Sequence, residues 1–493
     1  MILLNDSYSA EFLSLHLALQ HLSRSAGNQA RALIVSQFHD QQVSPGEFME
    51  KMRSLVDTHH LVRLVVIGPD IEPLGKGFGS CHLAFYPSVD RFLLEYPHNS
   101  LAHMAVLIKG ARRYGLERVV AYYQDKTGRT CLEINLSALR HNYLWFHQHL
   151  GRETKIMVML KALGYGAGSF ELARMLQSVQ AHYLAVAYID EGILLRKHGI
   201  HTPIMVLGPE PEGIHLLLEH VLEPEVYSLS SLKILMDYVR ERNMDQILPI
   251  HLNIETGMHR TGFAIQEVAL AIKLVNQEPK IKVASIFTHL AASDDPSSDV
   301  FTDQQLVVFE TAVGICKAHL HYPFLTHVAN TAAAGRWPSR PYQMVRLGIG
   351  FYGVDPSAQF SHQLQLAFRW VTQINQVHQV PSGETVGYGR AWQAPDERTI
   401  ATVPVGYADG LRRSLGQGRA CLYHRGNPAP IVGKICMDMT MIDVTGLDAR
   451  EGDEVVIFET LPQLDALCRA LDTIPYEIFT GISGRVRRIY LEE

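Results

Sequence analysis

KIMVMLKALGYGAG, residues 155–168, decides how the rest of the chain is read. An apolar run of strand length ends on a single cation, Lys161, a glycine-rich turn passes Tyr165, and an amphipathic segment from Glu171 to Gln177 follows. The order is strand, tight loop, helix. A lysine at a strand end is more often a solvated charge that closes the apolar pattern. It can also form a Schiff base with a carbonyl cofactor, and Tyr165 with nearby backbone N–H groups can hold a phosphate.

Outward from this stretch the same pattern recurs. HYLAVAY (182–188), TPIMVLG (202–208), EPEVYS (223–228), ILPIHLNIE (247–255), KVASIFTHL (282–290), FLTHVAN (324–330) and YQMVRLG (342–348) are apolar runs of strand length. Helical stripes lie between most of them, such as Leu232, Leu235, Val239 and Leu306, Phe309, Val313, Cys316. Eight strands alternating with helices predict a TIM barrel, whose chemistry gathers at the C-terminal strand ends. Lys161, Arg260, His289, Asn330 with Thr331, and Arg346 all end or follow such a run. Any one of them alone reads as a structural hydrogen-bonding group, but together on one rim they point to an active site. GIGFYG (348–353) has GxGxxG spacing. It follows the last barrel strand without an acidic ribose partner, so its N–H groups suit a phosphate rather than a dinucleotide.

From about Gln365 onward, short alternating segments predict an antiparallel β domain carrying VGYGRAW (386–392), PVGYADG (404–410) and ICMD (435–438). Ahead of the barrel, a helical stripe at Phe12, Leu15, Leu19 and Leu22 and strands near 32–36, 61–68, 82–86 and 105–110 predict a Rossmann-like α/β domain. The polar YQDKTGRT (123–130) reads as a linker, giving domains 1–125, 130–364 and 365–493. GPDIEPLGKG (68–77) is not a P-loop, because its spacing is wrong and no Ser or Thr follows its lysine.

A chain of 493 residues needs two or three cores. Its 47% hydrophobic and 19% charged content excludes disorder, and a net charge of −6 without basic runs gives no nucleic-acid or membrane patch. Six scattered cysteines, with no CxxC pair and no Cys/His cluster, predict reduced thiols and no metal site. The N-terminus lacks a signal-peptide pattern and no stretch approaches spanning length, so a cytoplasmic location is expected.

LEINLSALRHN (132–142), the Lys161 strand with YGAG, ETGMHRTG (255–262), FTHLAASD (287–294), HVANTAAA (327–334), VRLGIGFYG (345–353), VGYGRAW, VGYADG and ICMD occur in one order. On these motifs, Thr130 to Glu493 resembles the alanine racemases, fold-type III pyridoxal phosphate enzymes. The resemblance implies two-base interconversion of L- and D-alanine, supplying D-alanine for peptidoglycan. Lys161 would hold the cofactor and act as base on one face of the substrate Cα, with Tyr388 on the other. Arg346 would meet the pyridine nitrogen, and His289 would link Arg346 to Tyr388. Tyr165, Thr331, Gly348 and Ile349 would hold the phosphate. Arg260 and the Met437 N–H would bind the substrate carboxylate, and Tyr407 would narrow the entrance. A homodimer with shared sites is implied. Other reactions on the same fold are a serine or broad-range racemase and an amino-acid decarboxylase; the paired VGYGRAW and ICMD motifs favour alanine. A binding module without catalysis is disfavoured by Lys161 together with Tyr388.

Five positions depart from the family pattern: Leu163, Gly164, Ala167, Asn253 and Gly484. KALGYGAG stands where KADAYGHG is common. Asn253 replaces a lysine that is carbamylated in many members, so that negative charge is missing or supplied by another anion, such as chloride near Asn253 and Arg260. Gly484 replaces a tyrosine found in some members. Separately, NDSYSAEFLSL (5–15) and VLIKGARRYGLERVV (106–120) resemble the C-terminal domain of Mur ligases, especially the one that adds D-alanyl-D-alanine to the muramoyl tripeptide. No P-loop accompanies them. A scaffold or docking role is expected, as in a shortened ligase and racemase fusion.

Overall fold

The computed structural model describes residues 2–6, 12–26, 29–37, 45–69, 78–101, 104–123, 130–242, 246–338, 340 and 343–491. Residues 7–11 of the Mur-like segment, 70–77 of the rejected P-loop stretch and 124–129 of the expected linker lie outside them. The chain divides into two compact units, Met1–Arg129 with Leu491–Glu493, and Thr130–Tyr490.

In the first unit, strands β1 (Ile2–Asp6), β2 (Arg31–Ser36), β3 (Leu61–Ile67), β4 (His82–Tyr86) and β5 (Ala105–Lys109) form a parallel sheet in the order β1-β5-β2-β3-β4. Helices α1 (Phe12–Ser25) and α2 (Pro45–His59) bury Leu15, Leu19 and Met52 with Leu33 and Val35 of β2. Helices α3 (Val89–Glu95) and α4 (Glu117–Tyr123) bury Phe92 and Val119 with Ile34 and Ile108. Alternate residues of β2 thus enter different clusters, which is why this strand reads as a continuous apolar run. β1 has no counterpart in the predicted alternation, since Asn5 and Asp6 dilute its pattern. Its five pairings with β5 and the ion pair from buried Lys109 to Asp6 (2.7 Å) hold it in the sheet.

The second unit opens with β6 (Cys131–Asn135) and α5 (Leu136–His149), whose first turn is capped by the Asn135 side chain. The barrel follows: β7 (Lys155–Met159), β8 (Tyr183–Val186), β9 (Ile204–Val206), β10 (Glu223–Val226), β11 (Leu248–Asn253), β12 (Ile281–Phe287), β13 (Leu325–His327) and β14 (Met344–Leu347). All eight expected strands are present; β7 to β13 pair in order, each parallel to the next, and β14 pairs parallel with β7. Between β13 and β14 no ladder forms among the described residues. The Arg346 N–H donates to Ala329 O (2.9 Å) and the Thr326 N–H to Gln343 Oε1 (2.7 Å), so the barrel is nearly closed.

β6 stands apart from the barrel. It pairs antiparallel with β15 (Phe368–Gln373), and Thr130 Oγ1 lies 2.8 Å from Thr372 Oγ1 and donates to Pro404 O (2.6 Å). The strand that leads into the barrel therefore belongs to the other sheet and ties the two together. That sheet continues through β16 (Gln376–Val380), then β19 (Arg398–Val403) to β23 (Glu454–Phe458) and a last strand at Arg487–Leu491. Between β16 and β19 the short pair β17 (Thr385–Val386) and β18 (Trp392–Gln393) forms a separate hairpin, with Tyr388 in its loop. One hydrophobic cluster runs from Ile156 and Leu184 in the barrel to Trp370 and Phe458 in the β domain. Among the described residues no helix is long and apolar enough to cross a membrane.

Candidate active site

β7 stops at Met159, and the chain then makes a turn of the wrong hand. Ala162, Leu163, Gly164 and Tyr165 all have φ between 54 and 61°. Left-handed backbone costs an L-residue roughly 1–2 kcal/mol, and here three non-glycine residues adopt it within a run of four. The turn is closed by Gly164 N–H to Leu160 O (2.8 Å) and Gly166 N–H to Ala162 O (2.9 Å). It is clamped from the C-terminal segment by Arg488 Nε donating to Gly166 O (2.9 Å) and the Tyr490 hydroxyl donating to Ala167 O (2.7 Å). Such strain persists only where the surroundings over-determine it. A Cβ at Gly166 would lie 2.4 Å from Phe479 O at a φ of +83°. Gly166→Ala is therefore expected to destabilise the chain by about 2 kcal/mol or more, seen as a lowered Tm in calorimetry.

The turn brings Tyr165 to the end of the neighbouring strand β14. A Cβ built on Gly348 would lie 2.9 Å from the Tyr165 hydroxyl, so glycine leaves a cradle there. Thr331 Oγ1 accepts the N–H of Gly348 (3.1 Å) and of Gly350 (3.3 Å). Having accepted two bonds, this hydroxyl is left to donate its own proton. Asn330 accepts from Ala333 N–H and Ser293 Oγ, so it caps the helix that carries Thr331 rather than facing a ligand.

Arg346, 5% exposed on β14, is pinned on all sides. Nη1 donates to His327 O (3.1 Å) and Nδ1 (2.8 Å), while Nη2 donates to Thr288 O (2.7 Å), Val328 O (3.2 Å) and His289 Nδ1 (3.4 Å). Because a guanidinium only donates, both histidines must accept at Nδ1 and carry their proton on Nε2. From His327 the direction propagates: Nε2–H to Ser285 Oγ (2.8 Å), Ser285 O–H to His251 Nδ1 (2.6 Å), and His251 Nε2–H to Glu223 Oε2 (2.9 Å). A single chain of bonds thus runs inside the barrel from Arg346 to a carboxylate. None of these four partners was singled out among the candidate residues. Period-two placement of His251 and Glu223 on predicted strands was the available signal.

Burial and the Arg346, Arg260 and Lys161 charges push the His289 pKa down to about 3, so the imidazole is neutral at ordinary pH. The Arg346 pKa is lowered by burial to about 10, which leaves it protonated. Burial and the Arg260 charge lower the Lys161 pKa, easing access to the neutral amine, while Glu191 and Glu225 pull it back up. Asn253 has a carboxylate beside it: its Nδ2 donates to Glu225 Oε1 at 2.7 Å. The expectation is that the charge is missing or supplied by another anion such as chloride; the fold places the Glu225 carboxyl there from β10. Glu225 was overlooked because EPEVYS is a weak strand pattern, although an acidic residue inside a barrel strand was the signal.

The β-domain residues behave differently. Tyr388 (69% exposed), Met437 (53%) and Tyr407 (42%) all stand open on its surface. The Ala408 N–H donates to Met437 O (3.0 Å) and the Tyr407 N–H to Cys436 O (3.0 Å), so the second and third share one loop pair. Among the described residues no hydrogen bond joins Tyr388 to His289, and the expected link is not made within one chain. Ile349 is fully buried beside Gly348, where only its backbone can face a ligand.

The barrel mouth fits pyridoxal phosphate by its donors. It offers an amine of lowered pKa, a protonated buried arginine, and a glycine cradle between a phenol and a threonine hydroxyl. Comparisons with known proteins agree. Residues 134–356 match the family described as "Alanine racemase, N-terminal domain", and residues 367–490 match "Alanine racemase, C-terminal domain". The chain is 34% identical to alanine racemase 2 of Oceanobacillus iheyensis, over 74% of this chain and 94% of that protein. The solved alanine racemase of Clostridium difficile 630 superposes with a TM-score of 0.70 at 33% identity, covering 74% of this chain and 96% of the other. That of Bartonella henselae, a structure with covalently bound pyridoxal phosphate, gives 0.68 at 27% identity, covering 74% and 100%. Two matched domains, in order and at nearly the full length of these relatives, show that the chain belongs to the alanine racemase family.

Proposed function

We propose that this chain racemises alanine by a two-base mechanism in a homodimer, each site combining the barrel mouth of one chain with the β-domain loops of its partner. The observation that carries this reading is the meeting of Lys161, Arg346 and the Tyr165, Thr331 and Gly348 cradle on one rim, while Tyr388 stands exposed elsewhere. When bound, pyridoxal phosphate withdraws electrons from the substrate Cα and so acidifies its proton. Lys161 moves that proton on one face, and Tyr388 of a second copy moves it on the opposite face. Arg260 and the Met437 N–H hold the carboxylate. Tyr165, Thr331 and the N–H groups of Gly348 and Ile349 hold the phosphate, and Tyr407 narrows the entrance. Arg346 stays protonated and cannot give its proton to the pyridine nitrogen, which limits charge withdrawal and side reactions. His289, neutral and oriented by Arg346, presents Nε2–H toward the position Tyr388 takes in the assembled site. Following both enantiomers of alanine and of serine by chiral chromatography with added cofactor tests the substrate: alanine is expected to equilibrate and serine to lag. Equal rates would favour a broad-range racemase.

Residues 1–125, within the first unit, are read as a Mur ligase C-terminal-like module that does no ATP chemistry, ahead of a barrel at 130–364 and a β domain at 365–493. Its doubly wound parallel sheet supports this reading. A cytoplasmic location, with D-alanine feeding peptidoglycan synthesis, completes the proposal. A chain starting near Lys126 is expected to keep alanine racemisation within about twofold, as no site residue lies upstream. ATP-dependent peptide ligation by the full chain would refute the module's assignment.

A further inference from the structure

We propose that Glu225 is the built-in anion of this site, a positioning residue that holds Asn253 and, through it, the loop bearing Arg260; the inference rests on Arg260 receiving the substrate carboxylate. Glu225 is 5% exposed on β10, and its Oε1 accepts from Asn253 Nδ2 at 2.7 Å. The same Nδ2 lies 3.3 Å from Thr261 O and 3.2 Å from Thr261 Oγ1. Thr261 is the residue after Arg260. One amide therefore ties a buried carboxylate to the backbone that aims the substrate-binding arginine.

The charge balance gives this carboxylate its reason to be there. Lys161, Arg260 and Arg346 all act on it; Arg260 is exposed, but Arg346 is buried and Lys161 half-buried, and holding those two cations close together without a counter-charge is costly. Glu191, the other carboxylate acting on Lys161, directs its two oxygens to the N–H groups of Leu163, Ala187 and Tyr188. Glu225 is left as the anion facing the cluster. The groups about it are Lys161 beyond β7, Asn253 and His251 on β11, Arg260, Arg346 on β14, and Glu223 two residues earlier, which is bonded to His251. β9 pairs with this strand through Met205 and Val206, which carry no charge. Burial raises the Glu225 pKa to about 7 against the pull of Asn253 and the three cations, so its ionisation is poised near neutral pH. The carboxylate makes an external anion beside Asn253 unnecessary.

The test uses the full-length holoenzyme. The KM of wild type for L-alanine is expected to be the same in potassium chloride and potassium gluconate, and to rise as pH falls below neutrality. Glu225→Gln keeps the shape and removes the charge. Its KM is expected to rise about tenfold while kcat changes little, to lose the acid dependence, and to fall again on adding chloride. Chloride entry is read independently by broadening of the ³⁵Cl NMR line in E225Q over wild type. A wild-type KM that depends on chloride overturns the proposal, even if the variant fails to fold. So does a folded E225Q with wild-type KM and no extra ³⁵Cl broadening. Arg260→Lys separates the underlying reading: an unchanged KM there removes the carboxylate assignment, whereas a raised KM beside a silent E225Q removes only the role of Glu225.

Discussion

Lys161→Ala is expected to lower alanine racemisation by about 10⁴-fold or more and to abolish the absorbance of covalently held cofactor. Two losses combine in this one substitution. The amine proposed to anchor the cofactor disappears, and with it the proposed base on one face of the substrate. The position cannot readily be replaced by another lysine, because the left-handed turn from Ala162 to Tyr165 places this one at the mouth of β7 and fixes its neighbours. Its lowered pKa, set by burial and the Arg260 charge, is a property of that place. Borohydride should fix the cofactor to wild type and leave the variant unlabelled. Labelling of another lysine in the variant would show that the anchor has been misassigned.

Tyr388→Phe is expected to cost about 10²–10⁴-fold in rate, the usual range for loss of a positioned general base. The loss should be one-sided: with Lys161 proposed to serve the D-alanine proton and Tyr388 the L-alanine proton, α-proton exchange from L-alanine should fall far more than exchange from D-alanine. Cofactor binding and dimerisation should persist, since Tyr388 is exposed on the β domain and its hydroxyl makes no hydrogen bond among the described residues. Mixing the inactive Lys161→Ala and Tyr388→Phe chains should restore partial activity. A heterodimer would contain one site with both bases, as two-fold symmetry requires. Subunit exchange verified by mass labels, with no recovery of activity, would exclude a site shared between copies.

What the sequence determined by itself was local. Eight apolar runs ending in polar residues announced the barrel, because strands buried on both faces read as continuous hydrophobic stretches and the residue after each is released to the rim. Lys161, Arg346, His289 and Thr331 were legible for that reason, and Tyr165 through the glycines that surround it. β1 and β6 were less so: one has a polar end, and the other leads into the barrel in sequence while pairing with β15 in space. Tertiary structure alone decided the charge network. Glu225 meets Asn253 across 28 residues and Ser285 joins His327 across 42, contacts that no period along one strand encodes. A buried carboxylate near neutral pKa, a chain of oriented imidazoles behind Arg346, and a left-handed turn beginning on the alanine after Lys161 exist only once the strands close around them. Burial sets their charge states, and burial is a property of the closed barrel.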